Sequence, residues 1–224
     1  DVTILRTVRG IHRGGVQRMG NSEPIESWDE VPEPGPAGDD VTNELVLSHS
    51  TDRRYHRACC QRHVEQSDEE RAIVYVVYSP TPDPLLRAIR AYDARSRDPV
   101  KVVQAGGRPR TETGDDTGLD VHEVARPSDL ARLGVAISDA LSDWADRPTA
   151  LCFYSLSHLL RSVELSRAFR FLHTLGGRVD GAGTIAHYHL RPDQHDDQVV
   201  ATLRPLFDSV VTVSHDDPEA SGSG

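Results

Sequence analysis

Residues 42–57 read "TNELVLSHSTDRRYHR", and the interpretation of the whole sequence depends on this stretch. Its apolar run, Leu45–Ser48, is typical of a short buried strand, and the polar residues after it are typical of the start of a helix. Many α/β proteins hold a phosphate at such a junction, because the first N–H groups of a helix have no partner inside it. Here the junction contains three arginines and no glycine. The stretch therefore predicts an α/β fold with an altered phosphate site.

Downstream of this junction, β-rich runs alternate with helical patterns of about a dozen residues, which is typical of βα units on a parallel sheet. The predicted strands are Leu45–Ser48, Ala72–Tyr78, Val100–Gln104, Val121–Val124, Thr149–Tyr154, Thr184–Leu190 and Ser209–Val213. The predicted helices include residues 129–145, 165–179 and 197–210. We expect Ser128 to cap the first of these, and Asp83 to cap an earlier helix that begins at Pro84. The prediction is a three-layer α/β fold with a mostly parallel central sheet.

The domain organisation follows from composition. Residues 19–40 contain four prolines, three glycines and a run of acids, which bury too little apolar surface to offset the loss of chain entropy. Before them, apolar residues from Ile4 to Ile11 have nearly helical spacing, which predicts a short docking helix or a ragged end. We predict a flexible N-terminal segment over 1–40, an α/β domain over 41–214 and a disordered tail over 215–224.

The charged residues are unevenly chosen. Lys101 is the only lysine beside twenty-four arginines, and the acids are twenty-three Asp and twelve Glu, with a formal net charge of −10. An acidic surface nearly free of lysine suits molar salt, where the Debye length falls to about 3 Å. This composition predicts a halophile's protein. An acidic mesophilic protein encoded by GC-rich DNA is the alternative, but GC content does not explain Asp over Glu.

The sequence also predicts a soluble cytoplasmic protein. No stretch approaches the ~20 apolar residues of a membrane span, and residues 1–20 lack the apolar core of a signal peptide. Cys59, Cys60 and Cys152 have no CxxC spacing, so neither a disulfide framework nor a zinc ribbon is indicated. We expect reduced thiols, with Cys152 in the core.

The stretch from Pro127 to Val213 contains a specific arrangement, including "PSDL", "GVAIS", "RAFRFLH", "AHYHL", "PDQHDDQ" and "VATL". It resembles a haloarchaeal family of uncharacterised proteins distantly related to the RecA/KaiC-like ATPases, the superfamily that includes the archaellum accessory ATPase. The resemblance covers about the last two thirds of the chain. It implies a RecA/KaiC-like fold and, by analogy only, a role in signalling or motility.

The resemblance also implies two nucleotide motifs, and both are missing here. A phosphate loop, GxxxxGK[ST], should follow the first strand, but "SHSTDRRYHR" has neither glycine nor lysine, and Lys101 lies at a strand start. An acid that holds Mg²⁺ should end the strand in "TALCFYSLSHLL", but this strand ends at Tyr154. A phenol with a pKa of about 10 is not a magnesium ligand at neutral pH. We therefore predict a pseudo-ATPase with no catalytic residue and no cofactor.

A remnant of the nucleotide site is expected where these motifs would lie. Three arginines stand at the presumed helix start, where they could bind a phosphate, a sulfate or a partner's carboxylate, or simply be solvated with Asp52 as the cap. The predicted remnant consists of Ser48, Arg53, Arg54, Arg57, Tyr154 and Ser155.

Other residue patterns were weighed for different chemistry. His187 and His189 share one face of a predicted strand, with His195 close behind, so a zinc site is a low-ranked alternative to structural histidines. Ser155 follows a buried strand, but its flanks lack the GxSxG pattern of a hydrolase nucleophile. Four downstream arginines could form a basic face for nucleic acid, but we interpret them as ordinary surface residues because aromatic residues are scarce. These are Arg161, Arg167, Arg170 and Arg178.

Together these patterns predict a non-catalytic regulatory or scaffold module that binds a protein partner and no membrane. One alternative is a nucleotide or anion sensor that uses Arg53, Arg54 and Arg57. Another is a nucleic-acid-associated RecA relative, which the charge of −10 disfavours. The sequence leaves a homo-oligomer open.

Overall fold

The computed structural model describes residues 2–8, 42–48, 71–78, 89, 99–106 and 120–215. The strands are β1 (Val2–Val8), β2 (Asn43–Ser48), β3 (Ala72–Tyr78), β4 (Val100–Ala105), β5 (Asp120–Val124), β6 (Thr149–Tyr154), β7 (Ile185–Leu190) and β8 (Ser209–His215). The helices in this part are α1 (Leu130–Ser142), α2 (Leu156–Ser162), α3 (Leu165–Gly181) and α4 (Asp197–Leu203), with short 3-10 turns at Pro192–Gln194 and Arg204–Leu206.

The strands form one sheet in the order β1-β8-β2-β7-β6-β3-β4-β5. Strands β2 to β8 are all parallel, and β1 alone runs antiparallel, against β8. The predicted α/β class and mostly parallel sheet are confirmed. Strand β3 (AIVYVVY) is apolar along its whole length, because a parallel sheet is buried on both faces. The central strands β2 and β7 also carry buried polar residues, among them Glu44, His187 and His189.

All four helices lie on one face of the sheet. The chain passes from β5 to β6, from β6 to β7 and from β7 to β8, and each of these steps moves across the sheet in the same direction. Because crossovers between parallel strands are right-handed, the helices in these connections lie on the same side of the sheet. Apolar side chains from α1 to α4 form one core cluster with Leu45, Phe153 and Tyr188. The second face has its own cluster, in which Ile89 packs on Ile73 and Val102. Apart from Ile89, the third predicted layer falls outside the described residues.

The amphipathic patterns behave as predicted, but the cap of α1 does not. Leu130, Leu133, Ile137 and Leu141 are buried along one side of this helix. The N-cap is Asp129, whose carboxylate accepts a hydrogen bond from the backbone N–H of Arg132 at 3.2 Å. The prediction that Ser128 caps the helix was therefore wrong by one residue, since the aspartate reaches the free N–H groups from the adjacent position. Asp83 and Pro84 lie outside the described residues.

The N-terminus also differs from the prediction. Val2–Val8 is an edge strand paired along its whole length with Ser209–His215, and not a helix or part of a flexible segment. Its sequence, VTILRTV, is rich in β-branched residues, which favour a strand, and β8 would otherwise present an open edge. Strand β8 includes His215, which we had assigned to the tail. Residues 9–41 and 216–224 lie outside the described residues.

Candidate functional site

In a parallel α/β sheet, ligands bind at the carboxyl ends of the strands, at a point where neighbouring strands send their connections in opposite directions. Strands β3 and β6 are such neighbours, since the chain leaves β3 toward β4 and leaves β6 toward β7. We call the side of the sheet where β2 to β8 end the carboxyl edge. The candidate site lies there.

Both strands at this point end in tyrosine. Tyr78 is buried and its ring lies 6.1 Å from that of Phe153, while Tyr154 is half-buried and lies 6.0 Å from the ring of His189. Burial raises the pKa of Tyr78 well above its usual value. Burial likewise raises the pKa of Tyr154, although the positive charge of Arg191 acts in the opposite direction. Both side chains are therefore neutral phenols at physiological pH.

Ser155 is paired with a histidine that the sequence analysis missed. Ser155 is the N-cap residue of α2, and its Oγ lies 2.8 Å from Nδ1 of His158, one turn later. Burial, aided by the charge of Arg161, lowers the pKa of His158, so that the imidazole is neutral at neutral pH. The spacing of three residues after a helix cap could have revealed this pair.

The Ser155–His158 pair contains only part of a hydrolase site. A nucleophilic serine needs a base that is itself oriented by a third group, and no acid in the described part of the chain contacts His158. Ser155 is also only 4% exposed, which keeps its hydroxyl from an incoming substrate. The geometry therefore fits a local cap better than a nucleophile.

The two strand histidines lie inside the sheet and not in an open cleft. His187 and His189 are each 2% exposed and share one face, as predicted. His187 stands between Glu44 and Cys152 in the strand register. His189 Nε2 lies 3.5 Å from the sulfur of Cys152, which is buried as expected. These contacts place the pair in a buried row of polar groups.

His195 is not part of that row. It follows the turn at Pro192–Gln194, five residues beyond the end of β7, and burial together with Arg161 lowers its pKa. In the ranges that the structure describes, no three His, Cys, Asp or Glu side chains come together as metal ligands. The low-ranked zinc site of His187, His189 and His195 is therefore not assembled.

The structure describes the single lysine but not the loop arginines. Arg53, Arg54 and Arg57 lie outside the described residues, while Ser48 is the buried last residue of β2. Lys101 lies at the start of β4, on the opposite side of the sheet from the carboxyl edge. Its Nζ forms an ion pair with Asp143, lies 3.8 Å from Asp120 and stands 4.9 Å from the ring centre of Trp144.

Three of the four downstream arginines, which the sequence indicates are ordinary surface residues, line one groove. Arg167, Arg170 and Arg178 line a groove between α1 and α3, whereas Arg161 lies on α2.

No helix in the described ranges is both long enough and apolar enough to cross a lipid bilayer.

Comparison with known proteins adds a fold relative and a family. The PH0250 protein of Pyrococcus horikoshii OT3 has a similar structure, with a TM-score of 0.50 and 13% sequence identity, over 78% of this chain and 82% of that chain. At this identity the likeness concerns the fold alone. No curated protein matches the sequence significantly. A family model matches residues 42–213, which is most of the chain, and the protein therefore belongs to DUF7504, a family of unknown function.

Proposed function

We propose that this protein is a non-catalytic regulatory or scaffold module, a pseudo-ATPase with a RecA/KaiC-like three-layer fold that binds a protein partner. The setting we propose is signalling or motility in the cytoplasm of a halophilic archaeon, as the sequence resemblance and the composition imply. This cellular setting is part of the proposal.

The position of Lys101 is the main support. Phosphoryl transfer needs a cation against the β- and γ-phosphates, and in this chain only one lysine exists. That lysine stands at the amino ends of the strands, where Asp143, Asp120 and Trp144 hold it. It therefore has no access to a ligand at the carboxyl edge.

The strand ends give further support. The last residues of β2 to β7 are Ser48, Tyr78, Ala105, Val124, Tyr154 and Leu190. None of these six is a carboxylate that could hold Mg²⁺ through water. The side chain nearest in position to the missing acid, Tyr154, packs on two histidine rings as a neutral phenol.

The test is nucleotide turnover and binding by the full chain in molar KCl. We expect no hydrolysis of Mg·ATP or Mg·GTP above the protein-free background, and no rise in melting temperature with either nucleotide. A ligand present at a hundred times its Kd would add about 2.7 kcal/mol to stability, which a thermal shift detects readily. Turnover that disappears in Arg53→Ala or Arg54→Ala would contradict the proposal. A thermal shift without turnover would favour the nucleotide-sensor alternative.

A further inference from the structure

An open groove of about 410 Å³ runs between α1 and α3 on the outer surface of the helical layer. It is separate from the carboxyl edge. Two stripes of side chains line it, with helical spacing on each helix. They are Leu130, Ala131, Gly134 and Val135 on α1, and Arg167, Arg170, Phe171, Thr174, Leu175 and Arg178 on α3.

The floor of the groove is apolar and accessible. Val135 is 59% exposed, and it is the one large hydrophobic side chain that is exposed among the described residues. Phe171 is half-buried beside it. Gly134 lies against the ring of Phe171, where a Cβ would make an ordinary van der Waals contact at 3.6 Å. The apolar floor therefore consists of Val135 and Phe171, set between the two helices.

The rim of the groove is positively charged. Arg167, Arg170 and Arg178 are all exposed, and their described hydrogen bonds go to neutral oxygens. Arg167 Nη2 donates to the carbonyl of Ser128, Arg170 Nε to the carbonyl of Ser166, and Arg178 Nη1 to the Oγ of Ser138, at 3.4, 3.3 and 2.7 Å.

These three guanidinium groups have no ion-pair partner in the described part of a chain that has thirty-five acids. Lys101, Arg126, Arg132 and Arg191 pair with aspartate, but among the described residues the exposed Arg147, Arg161 and Arg204 have no described ion pair either. What distinguishes the rim is that its three arginines line one groove. A negatively charged partner in the groove would meet all three together.

We propose that this groove binds an acidic amphipathic α-helix of a partner protein. The inference rests on the proposed protein-binding function and names its surface and the chemistry of its partner. Apolar residues of the bound helix lie on Val135 and Phe171, and its flanking carboxylates meet Arg167, Arg170 and Arg178. The rim spans eleven residues of α3, about 16 Å, which matches roughly three turns of a bound helix.

Nucleic acid fits this surface less well. A phosphate backbone would use the arginines, but it would gain nothing from the apolar floor. A helix with an apolar face and acidic flanks uses both the floor and the rim. Charge complementarity of this kind mainly sets specificity and the rate of association.

The test uses the full chain with the photo-crosslinking residue benzoylphenylalanine in place of Val135, in an extract of the source organism in molar KCl. The crosslinked peptide is sequenced by mass spectrometry. We expect a segment of a different protein with apolar residues at helical spacing and carboxylates along one side of them. The double charge reversal Arg170→Glu with Arg178→Glu should lower the crosslink yield at least about tenfold. The matched control, Arg147→Glu with Arg204→Glu, changes the net charge equally at two exposed arginines outside the groove and should leave the yield unchanged.

Several results would overturn the inference. The first is the absence of any crosslink. The second is a crosslink to nucleic acid, to a second copy of this chain or to residues 19–40 of the same chain. The third is a crosslink yield that the charge reversal does not change. Each of them would leave the non-catalytic function standing if nucleotide turnover is also absent. Turnover of ATP would instead remove the proposed function, whatever the crosslink shows.

Discussion

The hydroxyl of Tyr188 donates a hydrogen bond to Oδ1 of Asn43 at 3.0 Å, joining β7 to the start of β2 inside the helical face of the sheet. The amide of Asn43 in turn donates to Asp180 at the end of α3, at 2.7 Å, and its backbone N–H donates to Asp208 at 2.8 Å. Burial, with Asp180 and Asp208 adding to it, raises the pKa of Tyr188 far above its usual value. The phenol is therefore always a donor here.

Tyr188→Phe should lower the free energy of unfolding by about 1–3 kcal/mol, because the buried acceptor Oδ1 of Asn43 then loses its partner. Urea unfolding followed by circular dichroism measures the change. Thr202→Val removes a hydroxyl whose described hydrogen bond is to the carbonyl of Gln198, within one turn of α4, and serves as the control with a smaller expected loss. An equal loss of unfolding free energy in both variants would show that the Tyr188–Asn43 hydrogen bond contributes no more to stability than the hydroxyl of Thr202.

Cys152 should be unreactive in the folded protein. Its sulfur is 4% exposed and lies 3.5 Å from Nε2 of His189, inside the sheet. In a Cys59→Ser, Cys60→Ser background, we expect a thiol reagent such as DTNB to modify Cys152 only as fast as the protein unfolds. Raising the denaturant concentration should then accelerate labelling in parallel with unfolding. Rapid labelling in native buffer would mean that the polar row is open to solvent.

Stability should fall as the pH drops below about 6.5, the unperturbed pKa of histidine. The pKa values of His158 and His195 are both lowered in the folded state, chiefly by burial. The unfolded chain then binds more protons than the folded chain in the window between the lowered values and about 6.5, so that stability there increases with pH. Above this window the contribution of the two histidines is fully present.

The measurement is the difference in unfolding free energy between about pH 7.5 and about pH 5.5, for the wild type and for His158→Gln. The variant should lose less stability on acidification, because it lacks one of the two histidines. Exposed His173, replaced by Gln in the same way, provides the control. A steeper pH dependence in His158→Gln than in the wild type would reverse the assigned direction of the His158 pKa.

The sequence predicted the strands β2 to β8 better than the edge strand β1. Most of the strands β2 to β8 were recognisable because they contain a short apolar run between polar residues, and a parallel sheet buries such runs on both faces. The edge strand β5, DVHEV, is an exception, since only Val124 is buried in it. Strand β1 was missed because VTILRTV places apolar residues at spacings compatible with either a helix or a strand. Its strand state depends on the open edge of β8, which is distant in sequence.

The candidate site was predicted less completely. That Tyr154 ends a buried strand could be predicted, but its position beside the oppositely directed β3 depends on the strand order. The contact between Cys152 and His189 joins residues thirty-seven positions apart and requires the strand register. That Arg167, Arg170 and Arg178 line one groove could not be predicted, because the groove depends on how α1 and α3 lie side by side.

Removing residues 1–8 should lower the melting temperature by at least about 5 °C, since one kcal/mol corresponds to about 2–4 °C in a chain of this size. The deletion removes β1 and leaves one edge of β8 unpaired along Ser209–His215, while the other edge stays paired with β2. Removal of residues 216–224, a deletion of similar size, is the control and should change the melting temperature little. Equal, small effects of both deletions would restore the prediction of a dispensable N-terminus.

Tyr154→Asp places a carboxylate where the proposed RecA/KaiC-like fold would carry the Mg²⁺-holding acid, and it should still not produce nucleotide turnover. Phosphoryl transfer needs a loop cation and Mg²⁺ together, and the only lysine lies on the far side of the sheet. The new carboxylate would instead stand half-buried between the rings of His158 and His189, which lie 6.4 and 6.0 Å from the ring of Tyr154. We expect this variant to lose about 1–3 kcal/mol of stability, since burial of a carboxylate is costly and the nearby Arg191 is already paired with Asp193. Tyr154→Phe retains the ring and should cost less, and parallel urea unfolding and nucleotide assays on both variants decide the point. Hydrolysis by Tyr154→Asp above the level of Tyr154→Phe would mean that the acid was the one missing part.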